Sequence, residues 1–119
     1  MDITIPNAVA CDAIAGSEPL DLIGVGSYWR TPPGQFAVWI EIVNPAERAF
    51  TVGLEMYRGS DFLGETEEEL VLAGKSHWQG WFAFHGVTGF QPKTYHVVVL
   101  LDGTPSRTIK LDFGHPEGK

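Results

Sequence analysis

Tyr95-His96-Val97-Val98-Val99-Leu100-Leu101-Asp102-Gly103 is the stretch whose reading decides the fold. Tyr95, Val97, Val99 and Leu101 recur every second residue, which in an extended chain puts them on one face. His96, Val98 and Leu100 fill the other face, and two of those three are apolar. Such a strand is either central and covered on both sides, or it meets a partner with its outer face. Asp102-Gly103 then signals a tight two-residue turn. Beyond it, Ile109, Leu111 and Phe113 alternate with Thr108, Lys110 and Asp112, completing a C-terminal hairpin.

The same test finds strands elsewhere. Phe50, Val52, Leu54 and Met56 alternate with Thr51, Gly53, Glu55 and Tyr57. Phe36 to Val43 is β-branched and aromatic between Pro32-Pro33-Gly34 and Asn44-Pro45. Trp78 to His85 is a further strand, with Gly80 as a bulge or a point of close approach. Leu20 to Trp29 reads as one twisted or bulged strand, because Gly24 and Gly26 interrupt it. Val9 to Ala15 alternates weakly. Gly64 to Leu72 is short for a helix and reads best as a strand, with helix and loop as alternatives. About eight short strands joined by Gly- and Pro-containing turns make an antiparallel sandwich or barrel.

Composition bounds the rest. The chain has 119 residues, of which 44% are hydrophobic and 19% charged, enough for one packed domain spanning residues 1–119. Its net charge of −7 argues against nucleic-acid or anionic-membrane binding. No apolar run approaches the ~20 residues of a membrane helix, and the N-terminus lacks the basic and apolar regions of a secretory signal. Cys11 is the one cysteine, so no intrachain disulfide forms; it reads as a small core residue or as a reactive thiol. A reducing, cytoplasmic location is the expectation.

Chemistry-bearing patterns are sparse. His77, His85, His96 and His115 form neither an i, i+4 pair nor a His-x-His pair, and His77 and His85 on one strand would stand ~26 Å apart. No metal, cofactor or catalytic residue is expected. No Gly-x-Ser-x-Gly elbow is present, and Gly24-Val25-Gly26 lacks the third glycine of a phosphate cradle. Glu65, Glu67, Glu68 and Glu69 read as a solvated strand edge, with a docking face for a basic partner or a cation site as alternatives. Aromatic residues make 12% of the chain. Trp78 and Trp81 have opposite strand parity, and Trp39 alternates against Phe36, Val38 and Ile40, so at least one indole faces outward. Exposed tryptophan is enriched at binding hot spots. Trp39, Trp81, His96, Val98 and Leu100 are therefore the candidate interaction surface.

A resemblance adds to this reading. Asn7-Ala8-Val9-Ala10-Cys11-Asp12-Ala13-Ile14, Leu20 to Trp29, Glu47-Arg48 before Leu54-Glu55, and the ending from Tyr95 to Gly103 resemble a small bacterial family of unknown function. The likeness covers most of the chain, which departs from that family in Ser27-Tyr28 before Trp29 and in Glu67-Glu68-Glu69. It implies a single immunoglobulin-like β-sandwich of about 7–9 strands and assigns no catalytic residue.

The expected function is a non-catalytic interaction module that takes a protein partner or a second copy of itself. A small ligand-binding or hydrolytic barrel or sandwich is the alternative. It would need a Trp- and Tyr-lined pocket with His85 or His96 beside a carboxylate. An accessory subunit of a larger protein is a third possibility. Val98 and Leu100 should be covered by a second chain, or else by a local flap such as Pro32-Pro33-Gly34. Val98→Lys separates these cases. It abolishes association in sedimentation if a partner covers the site, and costs several kcal/mol of stability if the cover is intramolecular. No change in either measurement marks this face as plain solvent surface.

Overall fold

The computed structural model describes residues 3–15, 21–23, 25–26, 28–29, 35–66, 68–85 and 94–113. Among them lie eleven strand segments, seven of which have five residues or more. These are β1 (Thr4–Cys11), β2 (Ala13–Ala15), β3 (Asp21–Ile23), β4 (Tyr28–Trp29), β5 (Gln35–Val43), β6 (Phe50–Arg58), β7 (Asp61–Glu65), β8 (Glu69–Val71), β9 (His77–His85), β10 (Thr94–Leu101) and β11 (Thr104–Phe113). One sheet has the order β1-β5-β9; the other has the order β4-β11-β10-β6-β7, with β8 also on β6. β2 and β3 form a separate ribbon. Every pairing is antiparallel except β4 on β11.

The alternation seen in the sequence becomes the core. Phe36, Val38, Ile40 and Ile42 of β5 share one buried cluster with Val52 and Leu54 of β6, Tyr95, Val97 and Val99 of β10, and Leu111 of β11. Each such side chain contributes roughly 1.5–3 kcal/mol of burial. Phe50 and Trp78 meet edge to face at 6.3 Å and join the two sheets. Arg107 donates to the Ile5 carbonyl at 2.6 Å, tying β11 to β1. The result is a sandwich of two antiparallel-built sheets, not a closed barrel. Among the described residues no helix is long and apolar enough to cross a membrane.

β10 lies between β6 and β11, so it is central in its sheet. Asp102 and Gly103 both have positive φ, 52° and 80°, and close the hairpin with Leu101 opposite Thr104. Asp102 does more than turn the chain. Its Oδ1 accepts the Thr51 N–H at 3.0 Å and its Oδ2 pairs with Arg48 at 2.8 Å, anchoring the turn to β6. These two contacts, the Thr51 N–H first, hold its carboxyl below the usual range.

Within Gly64 to Leu72, Gly64 and Glu65 belong to β7 and Glu69 to Val71 form β8, so the strand reading holds for these residues. β7 and β8 lie along the same edge of β6, with a break between them after Glu65. Thr66 spans that break by donating its N–H to the Leu54 carbonyl and accepting the Leu54 N–H on Oγ1. Two other expectations change. Leu20 to Trp29 is not one strand: it holds β3 and β4, which lie in different sheets, and between them Gly26 donates its N–H to the Ala10 carbonyl of β1. Val9 to Ala15 likewise divides at Asp12, with β1 reaching back to Thr4. Gly80 is a close approach rather than a bulge. The β5–β9 register is unbroken, and a Cβ on Gly80 would overlap the Trp78 ring.

Asn44 is fully buried where β5 ends. Its Nδ2 donates to the carbonyls of Arg48 at 2.7 Å and Lys75 at 3.0 Å, clamping two loops together. Asn44→Ala strands both carbonyls. It should cost about 2–3 kcal/mol, read as a lower urea midpoint with an unchanged slope.

Candidate functional site

With the even-numbered residues of β5 held in the core, its odd-numbered residues face outward, and β9 follows by register. The outer face of the three-stranded sheet is therefore built in rows. Asn7, Glu41 and Gln79 form one, Val9, Trp39 and Trp81 the next, and Cys11, Ala37 and Ala83 the third. Trp81 is 48% exposed and Trp39 half-buried. The Trp39 Nε1–H donates to Gln79 Oε1 at 3.0 Å, linking the tryptophan row to the polar one. Cys11 and Ala37 are buried although they face away from the core, and β2 packs beside β5 at that end. Cys11 is thus a buried thiol, as the first of its two readings had it.

A polar cluster closes the opposite end. Asn7 Nδ2 donates to Glu41 Oε1 at 2.6 Å, and His77 Nε2 lies 2.7 Å from Glu41 Oε2. The Asn7 amide, then His77, holds the Glu41 carboxyl below its ordinary range. Glu41 and His77 come from strands 36 residues apart, so no local motif announces them. Among the described residues no group of three His, Cys, Asp or Glu could hold a metal ion.

His96, Val98 and Leu100 occupy the outer face of the other sheet, so the five candidate residues do not form one surface. Trp39 and Trp81 lie on one side of the core, and His96, Val98 and Leu100 on the opposite side. All three are half-buried. Val98 has Glu55 and Thr108 as its cross-strand neighbours, while His96 has Tyr57 and Lys110. Tyr57 donates its hydroxyl to Glu55 at 2.7 Å, and that bond raises its pKa. Leu100 sits opposite Gly53, over which Glu68 folds, and shares a groove with Thr66 and Glu65. Leu100 thus has Glu65, Thr66 and Glu68, on either side of the break between β7 and β8, around it. Pro32-Pro33-Gly34 lies outside the described residues, as do Gly24, Glu67, His115 and the side chains of Trp29 and His85. A lysine at position 98 would have Glu55 beside it, so an unpaired buried charge does not follow there.

Glu65, Glu68 and Glu69 are exposed along the β7–β8 edge. Two further grooves are described. One is lined by Ala8, Val9, Ala10, Val25, Gly26 and Ile109, the other by Met56, Leu63, Gly64, Glu65, Thr66, Ala83 and Phe84. Among the described residues neither is lined by a tryptophan or a histidine. Compared with known proteins, the sequence matches no family model and no curated protein.

The lowered Glu41 pKa has a direction in stability. The contribution is complete above the unfolded glutamate value of about 4.3, and is lost as pH falls through the lower folded value. Urea midpoints followed from pH 7 toward pH 3 should fall less steeply in Glu41→Gln than in the wild type. Superimposable acid limbs would show that the Asn7–Glu41–His77 cluster adds nothing to stability.

Proposed function

We propose that this chain is a non-catalytic interaction module on an immunoglobulin-like sandwich, presenting the Trp39–Trp81 face to a protein partner. The strand order supports the architecture. Labelling β1, β5, β6, β7, β9, β10 and β11 as A, B, C, C′, E, F and G gives A-B-E opposite G-F-C-C′, the division found in immunoglobulin-type sandwiches. Tyr95, fully buried as the second residue of β10, stands where such folds place a tyrosine at the start of strand F. The resemblance to a small bacterial family of unknown function fits the same architecture. A single, buried thiol suits a reducing, cytoplasmic setting.

One observation carries the functional reading. Trp81 keeps nearly half its surface open while lying in register with Trp39, beside a rim of Asn7, Glu41, His77 and Gln79. An aromatic pair with a polar rim is how protein-binding hot spots are built. The other outer face also exposes apolar side chains, Phe62 edge-on to Tyr57 and Leu70 opposite Thr51, but at the β7–β8 edge among Asp61, Glu65, Glu68 and Glu69. Proteins retained from cell extract by immobilised wild type, Trp81→Ala and Val98→Lys test the choice of face. Trp81→Ala should lose the retained proteins and Val98→Lys should keep them, with both variants folded by circular dichroism. Retention by Trp81→Ala with loss by Val98→Lys would move the binding surface to the other sheet.

A further inference from the structure

The sheet edges of this sandwich differ sharply. β1 carries Pro6, an irregular register between Thr4 and Asn7, and the Arg107 bond to Ile5. The β7–β8 edge exposes Glu65, Glu68 and Glu69 and is broken after Glu65. β4 is two residues long. Charge, proline, irregular register and shortness are the devices by which native sheets blunt an edge. β9 has none of them. Its nine residues, His-Trp-Gln-Gly-Trp-Phe-Ala-Phe-His, hold no Asp, Glu, Lys, Arg or Pro. It pairs with β5 without a register shift, and among the described residues no strand takes its far side.

Building on the module reading, we infer that this free edge pairs antiparallel with β9 of a second copy, about a two-fold axis through Trp81. The occupant follows from three observations. Each copy carries a net charge of −7, so two copies approach with least repulsion at an uncharged edge. Trp81 is the central residue of β9, which makes the strand self-complementary under a two-fold. The axis sets Trp81 against Trp81 of the second copy, Gln79 against Ala83, and His77 against His85. The row Val9-Trp39-Trp81 then continues into its copy as one aromatic strip, covering the indole that the monomer leaves open. The shared ladder is about 30 Å long. Two three-stranded sheets become one of six.

Sedimentation velocity of the full chain over a thousandfold concentration range tests this. The wild type should pass from 13.1 kDa to twice that mass. Gln79→Glu with Ala83→Glu places like charges opposite each other across the axis and should weaken association at least tenfold. Gln79→Glu with Ala83→Lys places opposite charges there and should restore it. Both keep an acceptor for the Trp39 indole. Because Glu65 shares a groove with Ala83, thermal melts of the monomers accompany the series. Trp81→Cys gives a readout free of added charge, since mild oxidation should yield a disulfide-linked dimer through position 81. A wild type that stays monomeric overturns the pairing, as does a dimer indifferent to both charge pairs and unlinked through position 81. If the wild type is monomeric but Trp81→Ala still loses its retained proteins, strand pairing fails and the Trp39–Trp81 reading survives. If pairing responds to charge while Trp81→Ala retains every protein, the reverse holds.

Discussion

Sealing two inner faces against each other dictates where every other side chain of this molecule goes. The strand period is two, so a slip of one residue would send a whole core face into water. Ile40 and Ile42 are fully buried between the sheets, and Trp39 and Glu41 must face outward whatever their own chemistry. The same rule turns Trp78 inward and leaves Trp81 outside. The outer surfaces are consequences of the core, and their chemistry is what remains free to vary.

That logic explains what was legible in the sequence. Long, regularly alternating segments such as Phe50 to Met56 and Tyr95 to Leu101 carry their burial pattern in plain view, and the Asp-Gly pair carries its turn. Parity alone also predicts that Trp78 and Trp81 part company. What parity cannot supply is register between strands distant in sequence. Asn7, Glu41 and His77 meet because β1, β5 and β9 are neighbours, and Asn44 is clamped by carbonyls from two separate loops. Trp39 and Val98 look equivalent as outward residues of apolar strands, yet only strand order shows that they stand on opposite faces. Leu20 to Trp29 misled for a related reason. β3 and β4 join different sheets, and the bond from Gly26 to Ala10 that lies between them is non-local.

The two outer faces are finished differently. Over the larger sheet, Glu68 lies on Gly53 and Glu55 flanks Val98, so apolar side chains are tempered by carboxylates with solvent nearby. Over the smaller sheet, the charge is gathered at one end, where Asn7 and His77 both bind Glu41. A carboxylate already satisfied by neighbours projects less unmet hydrogen-bonding demand toward the tryptophans, which leaves the middle of that face apolar and open.

β9 owes its regularity to one local arrangement. A glycine inside a strand usually weakens it or invites a bulge. Here the Trp78 ring lies over the space that a side chain at position 80 would fill, so the inner face remains packed without one. Trp78 also meets Phe50 of the opposite sheet, which secures the strand against the core. The register from Gln35–His85 to Val43–His77 then runs without interruption. A bulge would have bent the strand and twisted its outer backbone groups out of line. Filling the glycine gap from within instead keeps β9 in step with β5 along its whole length.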